Sequence, residues 1–256
     1  MSIFNYEEGK QIAIIKKKKT DEKEQKGKKV FMNQPETNIR QSYDKIDAKD
    51  NEYIQLSADP ESERICLYIV GASGSGKSYY ATQFIKEWKK TNKTKKIYLI
   101  SPITDDKNIN SLKPTRLNPQ SQAFLQEPPT CEDFANSLLI CDDIEAYDKP
   151  ITQRIMTLIN SILTTGRHHK VSLLFLAHNP TQGNMTKILL LESHGIVVYP
   201  KTMGGNSSKY LLDQYLGLDK NQIKKLKNMN SRAVCILRSY PLTLISENEI
   251  VSLNEF

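Results

Sequence analysis

"IVGASGSGKSYY", residues 69–80, is the stretch that decides the fold. Gly71, Ala72, Ser73, Gly74, Ser75, Gly76, Lys77 and Ser78 match the spacing G-x-x-x-x-G-K-[ST]. Before them Ile65–Val70 is an unbroken apolar run, which reads as a buried strand. After them Tyr80, Phe84 and Trp88 recur every four residues, which predicts a helix starting near Lys77. The aromatics read as core, and Lys86, Lys89 and Lys90 suit the negative end of the helix dipole. A glycine loop between a strand and a helix points backbone N–H groups at an anion, and the helix N-terminus favours its charge. This context predicts a site for ATP, with Lys77 reaching the β- and γ-phosphates and Ser78 ligating Mg²⁺.

Such a site needs a carboxylate for the metal and one for the attacking water. "SLLICDDIEAY", residues 137–147, places two acids at the end of an apolar run, where ligands bind in open α/β sheets. Asp142 is the candidate metal acid and Asp143 the candidate group that orients or deprotonates water, with Glu145 competing for the second role. A third stretch, "TTGRHHKVSLLFLAHNP" at 164–180, is a buried run that ends abruptly in His178 and Asn179. On a strand beside the phosphate-loop strand, either could sense the γ-phosphate; a simple turn before Pro180 is the alternative.

Outward from these motifs, short apolar runs alternate with amphipathic segments, the pattern of a mainly parallel α/β sheet flanked by helices. The expected strands are Ile65–Val70, Lys96–Ile100, Leu138–Cys141, Val171–Ala177, Ile196–Tyr199 and Ala233–Leu237. Ile151, Ile155, Leu158, Ile159 and Ile162 predict one helix, and Leu212, Tyr215, Leu216, Ile223 and Leu226 one or two more. Residues 101–133 read as a long connection with a short helix. No internal repeat is evident.

Residues 1–58 differ in composition. "IIKKKKTDEKEQKGKKVFMNQPETNIRQ", residues 14–41, is lysine-rich and lacks a sustained period, which predicts a basic, disordered arm before a domain at 59–256. That arm is either a solubilising tail or a tether to phosphates or to a partner. The formal charge of +7 and the isoelectric point near 9.0 favour an anionic partner, nucleic acid ahead of a membrane surface. Lys220, Lys224, Lys225 and Lys227 gather on an expected helix and are either a phosphate-binding face or a solvated one. Cys66, Cys131, Cys141 and Cys235 form no C-x-x-C pair and suit a reducing compartment. No signal-peptide pattern opens the chain, and no apolar run approaches the roughly twenty residues that span a bilayer, so a cytosolic protein is expected.

The order of phosphate loop, "LLICDD", "GRHHK" and an apolar strand with a polar end resembles the genome-packaging ATPases of nucleocytoplasmic large DNA viruses. These are the poxvirus-type branch of the FtsK/HerA superfamily, and the resemblance covers roughly residues 64–200. It implies a RecA-like domain with Gly71–Ser78 as Walker A, Asp142 and Asp143 as Walker B, and His178 as the sensor. Family members more often carry Gln at that last place, which keeps Asn179 in contention. It also implies a homo-oligomeric ring, pentameric or hexameric, that pumps double-stranded DNA into a preformed capsid. Capsid or portal-vertex proteins would be partners, and the host cytoplasm at the assembly site, or the virion, the location. Arg167 lies just before the sensor strand, in a connection expected at the sheet's edge rather than at its own phosphate loop, and is the candidate arginine finger acting in trans on a neighbour's ATP, with Arg154 in reserve; pairing with a surface carboxylate at a helix end is the alternative. A nucleotide or small-molecule kinase and a non-hydrolysing ATP switch share the same site halves and stay open as alternatives.

Overall fold

The computed structural model describes residues 3–18, 27–34 and 39–256. Five strands come first: β1 (Phe4–Asn5), β2 (Lys10–Lys17), β3 (Lys28–Met32), β4 (Lys45–Asp47) and β5 (Glu52–Leu56). Four of them form an antiparallel sheet in the order β1-β3-β2-β5. This corrects the expectation of a disordered arm over 1–58, although residues 1–2, 19–26 and 35–38 of that segment lie outside the described residues. In β2 the lysines stand at the two ends, and Ile12, Ala13, Ile14 and Ile15 between them are buried. Burying an isoleucine side chain is worth roughly 1.5–3 kcal/mol, which a flanking lysine does not cancel when its ammonium stays in water. Lys28 shows another way to place such a charge, with Nζ 3.2 Å from the ring centroid of Tyr6.

The glycine loop follows β6 (Cys66–Val70) and starts α1 (Lys77–Thr91); β7 (Lys96–Ile100) comes next. The stretch expected as a long connection with one short helix carries α2 (Lys107–Asn110), β8 (Thr115–Arg116) and α3 (Gln122–Gln126). Then come β9 (Ser137–Asp142), α4 (Lys149–Thr165), β10 (Ser172–Ala177), α5 (Asn184–Glu192) and β11 (Gly195–Val198). Asp148 caps α4 by accepting from Ile151 N at 3.0 Å. The helical pattern expected around 212–226 divides into α6 (Gly205–Tyr210), a π-helical turn at Leu211–Tyr215, and α7 (Lys220–Asn228). Asp219 and Gln222 form a capping box at the start of α7. Last are β12 (Val234–Leu237), β13 (Thr243–Ser246) and β14 (Glu249–Ser252).

These strands build one ten-stranded sheet in the order β4-β14-β13-β12-β11-β6-β10-β9-β7-β8. From β11 to β8 every pairing is parallel, and from β11 to β4 every pairing is antiparallel. Alternate residues of the central strands enter opposite cores, because helices or the N-terminal sheet cover both faces. Tyr68, Leu139 and Phe175 join α4 and α5 residues on one face. Ile69, Ile140 and Leu174 join Phe84, Ile85 and Trp88 of α1 and the interior of the N-terminal sheet on the other. Polar contacts fasten that sheet to α1: Lys16 Nζ lies 2.6 Å from Glu87 Oε2, and Gln55 Nε2 donates to Gln83 O at 2.7 Å.

Candidate nucleotide site

The register of the parallel strands brings the three sequence motifs to one edge. Val70 lies opposite Ala177, and Asp142 lies opposite Leu176, so the carboxyl ends of β6, β10 and β9 are level with β10 in the middle. The glycine loop leaves β6 at Gly71, where a Cβ would stand 2.6 Å from the ring of Tyr199 and 2.8 Å from Ser75 Oγ. Only glycine fits there. Gly76, with φ +107°, sits at the start of α1, which no side chain caps and which has no acid in its first turn. The helix start is therefore left for an external anion.

Lys77 is 7% exposed; its Nζ donates to Gly71 O at 3.0 Å and to His178 Nδ1 at 3.3 Å. Burial lowers its proton affinity, and the charges of Asp143, Asp142 and Glu145 oppose that shift without reaching ion-pair distance. An ammonium can only donate, so Nδ1 of His178 must accept, and the ring proton lies on Nε2. Nε2 is 2.9 Å from Asp143 Oδ1. The ring N–H is not aligned with that oxygen, so the contact is electrostatic and Oδ1 is buried without a hydrogen-bond partner. His178 thus links the phosphate-loop lysine to the second acid of the Asp pair, as its middle strand allows.

Asp142 is 2% exposed and accepts a long hydrogen bond from Ser101 Oγ, 3.3 Å from Oδ2. Burial first, and then the charges of Asp143 and Asp106, push its carboxyl up to about 6. Asp143 adopts φ +48°, a left-handed conformation uncommon outside glycine, which turns the chain as it leaves β9. Glu145 follows in a single 3-10 turn; its Oε1 accepts from Gln182 Nε2 at 3.1 Å, and burial raises its carboxyl. Both candidates for the second acid therefore stand near the phosphate loop, but only Asp143 touches His178.

The remaining candidates lie elsewhere. Asn179 contributes its backbone carbonyl, which accepts from Tyr68 Oη at 2.9 Å, while its side chain is exposed. Arg167 precedes β10 and so stands at the opposite edge of the sheet, exposed, with Nε 2.7 Å from Glu63 Oε2. Arg154 Nη1 donates to Leu125 O at 2.6 Å on α4. Neither arginine reaches the phosphate loop of its own chain. Lys220, Lys224, Lys225 and Lys227 are all exposed on α7. Two side chains near the loop escape motif reading. Gln182 holds Glu145, and Arg232 donates from Nη2 to Gly74 O at 2.9 Å. The signal for Arg232 is strand direction: β12 runs antiparallel to β11, so its first residues stand at the edge that carries the site.

The parallel sheet, the glycine loop and the paired acids define a P-loop NTPase fold. No family model matches the chain. Uncharacterized protein V3 of Sputnik virophage is 32% identical over 188 residues, spanning 72% of this chain and 76% of V3, and the chain belongs to the family of that virophage protein. Among solved structures, the cytoplasmic domain of the Thermomonospora curvata type VII secretion ATPase EccC superposes with a TM-score of 0.50 at 12% identity, over 83% of this chain and 29% of that one. The genome-packaging NTPase B204 of Sulfolobus turreted icosahedral virus 2, bound to AMP, gives a TM-score of 0.49 at 13% identity, over 72% and 98%. At 12% identity the likeness to EccC is one of fold. Among the described residues no helix is long and apolar enough to cross a membrane.

Proposed function

We propose that this chain is an ATPase of the FtsK/HerA type that moves double-stranded DNA, packaging a viral genome into a preformed capsid as a homo-oligomeric ring. The observation that carries the catalytic part is the sequence of contacts Lys77–His178–Asp143, laid across the carboxyl ends of adjacent strands beside an uncapped helix start. Kinship with a virophage protein and the "GRHHK" stretch before the sensor strand support the viral, poxvirus-type reading.

The residues fit a divalent cation held together with the nucleotide. Asp142 is a buried acid short of positive charge, and no three His, Cys, Asp or Glu side chains among the described residues converge into a self-sufficient metal site. Ser78 and Asp142 would hold Mg²⁺, which neutralises polyphosphate charge when bound. The chain does the rest. Lys77 exchanges the Gly71 carbonyl for phosphate oxygens, and the loop N–H groups hold the phosphates in line for attack. Asp143 orients the water and takes its proton at Oδ1, which has no hydrogen-bond donor and becomes reachable when His178 moves off it. His178, touching both Lys77 and Asp143, reports whether the γ-phosphate is present. Arg167 would complete the site of the next subunit, which requires it to leave Glu63.

Phosphate release from ATP, measured with and without linear duplex DNA of unrelated sequences and alongside the mass in solution, tests the proposal. Hydrolysis by an oligomer that duplex stimulates is the expected result. Turnover by a monomer, indifferent to DNA and dependent on a small acceptor, would establish a kinase instead. ATP binding without phosphate release would establish a switch.

A further inference from the structure

A second cation overlooks the phosphate loop. The backbone before β12 is held by Ser231, whose buried Oγ donates to Ala233 O at 2.8 Å and accepts from Glu247 N at 3.4 Å. From that anchor the Arg232 side chain extends over the loop. Its Nη2 donates to Gly74 O at 2.9 Å, and its Nε and Cζ lie 3.5 and 3.6 Å from where a Cβ on Gly76 would stand. The guanidinium is exposed, and no carboxylate of the described residues lies within ion-pair distance of it. One backbone carbonyl uses one of its five N–H donors. On the same flank Ser75 Oγ and Tyr199 Oη are buried without hydrogen-bond partners, Tyr199 being the ring that lies against Gly71.

We propose that Arg232 is a ligand of the nucleotide's polyphosphate, acting in cis on the site that contains Lys77 of the same chain. The proposal rests on reading the loop as a nucleotide site. Lys77 approaches the phosphates from inside the loop, whereas Arg232 stands on its outer wall, so the two cations would grip the chain of phosphates from different sides. A flat guanidinium with open donors pairs with two phosphate oxygens at once, which a point-charge ammonium does not. Exchanging a neutral carbonyl for an anion strengthens its hydrogen bonding, so the carbonyl contact serves as a parking position.

Calorimetric titration of ATP and of ADP, in the presence of Mg²⁺, into the full-length chain tests this with Arg232→Ala, Arg232→Gln, Arg232→Lys and Lys77→Ala. Arg232→Ala and Arg232→Gln should each weaken binding by about tenfold, as loss of one charged hydrogen-bonding group does. Arg232→Lys should recover only part of the affinity lost in Arg232→Gln, because an ammonium carries the charge but not the paired donors, and melting temperatures without nucleotide should not change. Glutamine can still donate to Gly74 O but carries no charge. Wild-type affinity in Arg232→Gln would mean that the arginine only braces the loop, and the proposal would fall. If Lys77→Ala abolishes binding while both neutral Arg232 variants match the wild type, the nucleotide site stands and only the role of Arg232 is refuted. If the wild type itself binds no ATP, the reading of the site fails first. At ATP levels below saturation, mixing Lys77→Ala with Arg232→Ala subunits should give no more phosphate release than the Arg232→Ala subunits give alone, because both groups serve one site; a rise above that level would move Arg232 to a neighbour's site and overturn the cis assignment.

Discussion

Replacing Asp142 with asparagine should stabilise the nucleotide-free protein while removing its turnover. The carboxyl is pushed from its ordinary 3.8 to about 6 by burial and by the neighbouring Asp143 and Asp106, so the fold favours its protonated form. Each pH unit of such a difference is 1.36 kcal/mol, so keeping Asp142 ionised without nucleotide and metal costs about 3 kcal/mol at neutral pH. The sign follows from the two titrations. Below pH 3.8 the group is protonated in both folded and unfolded chains and costs nothing. Between 3.8 and about 6 the unfolded chain ionises first, so stability falls as pH rises, and above 6 the full penalty applies. Asp142→Asn removes that penalty without changing the side chain's size. The gain should therefore be absent near pH 4 and complete by pH 7, where it amounts to roughly 6–12 °C in melting temperature for a chain of this length. Thermal and urea unfolding of both proteins from pH 4 to 8, without nucleotide, measures it. An asparagine variant no more stable than the wild type at pH 7.5, or a gain independent of pH, would refute the electrostatic account of this acid.

Three further outcomes separate the roles of the other residues. Asp143→Asn should bind ATP and lose hydrolysis, while Glu145→Gln changes turnover little; the reverse pattern in phosphate-release assays would exchange the general base for Glu145. Arg167→Ala and Lys77→Ala, each inactive alone, should regain part of the ATPase activity when co-assembled, because in the proposed ring mixed assemblies would contain interfaces that join an intact loop to an intact arginine. No recovery in rings of demonstrated mixed composition would leave Arg167 as the surface partner of Glu63. Changing Lys220, Lys224 and Lys227 to Gln should weaken duplex binding equally for all sequences and lower the salt slope by about one for each DNA phosphate that is no longer neutralised. An unchanged slope in equilibrium binding would make α7 a solvated face.

The glycine loop, the Asp pair and the six apolar strands were legible because each is a local pattern with a local cause: φ freedom at Gly74 and Gly76, and burial on both faces for runs such as Cys66–Val70. What joins them was not legible. His178 meets Lys77 only because β10 lies between β6 and β9, and strand order leaves no mark within any one segment. Arg232 was missed for the same reason, since "SRAVCIL" states a strand but not its direction. The strands β13 and β14, "TLIS" and "EIVS", are as short as β11 and β12 but hold only two apolar residues each between polar ends, so no apolar run marks them. In the N-terminal region the error was one of averaging. Composition over residues 1–58 is set by its lysines, whereas the fold follows the few apolar residues Ile12, Ala13, Ile15, Val30 and Ile54 that share a core with α1. Deleting that region is therefore no clean test of whether its charges bind DNA.

A recombinant fragment beginning at residue 59 would carry every motif of the site and still be a poor preparation. It would leave the outer side of α1 without Lys16 and Gln55, baring to solvent a helix that begins at the phosphate loop itself. It would also strip β4 from β14 and turn a paired strand into a free sheet edge, a template for self-association. Any oligomer seen with such a fragment would then report sticky edges rather than subunit assembly, so the state of association has to be measured on the intact chain.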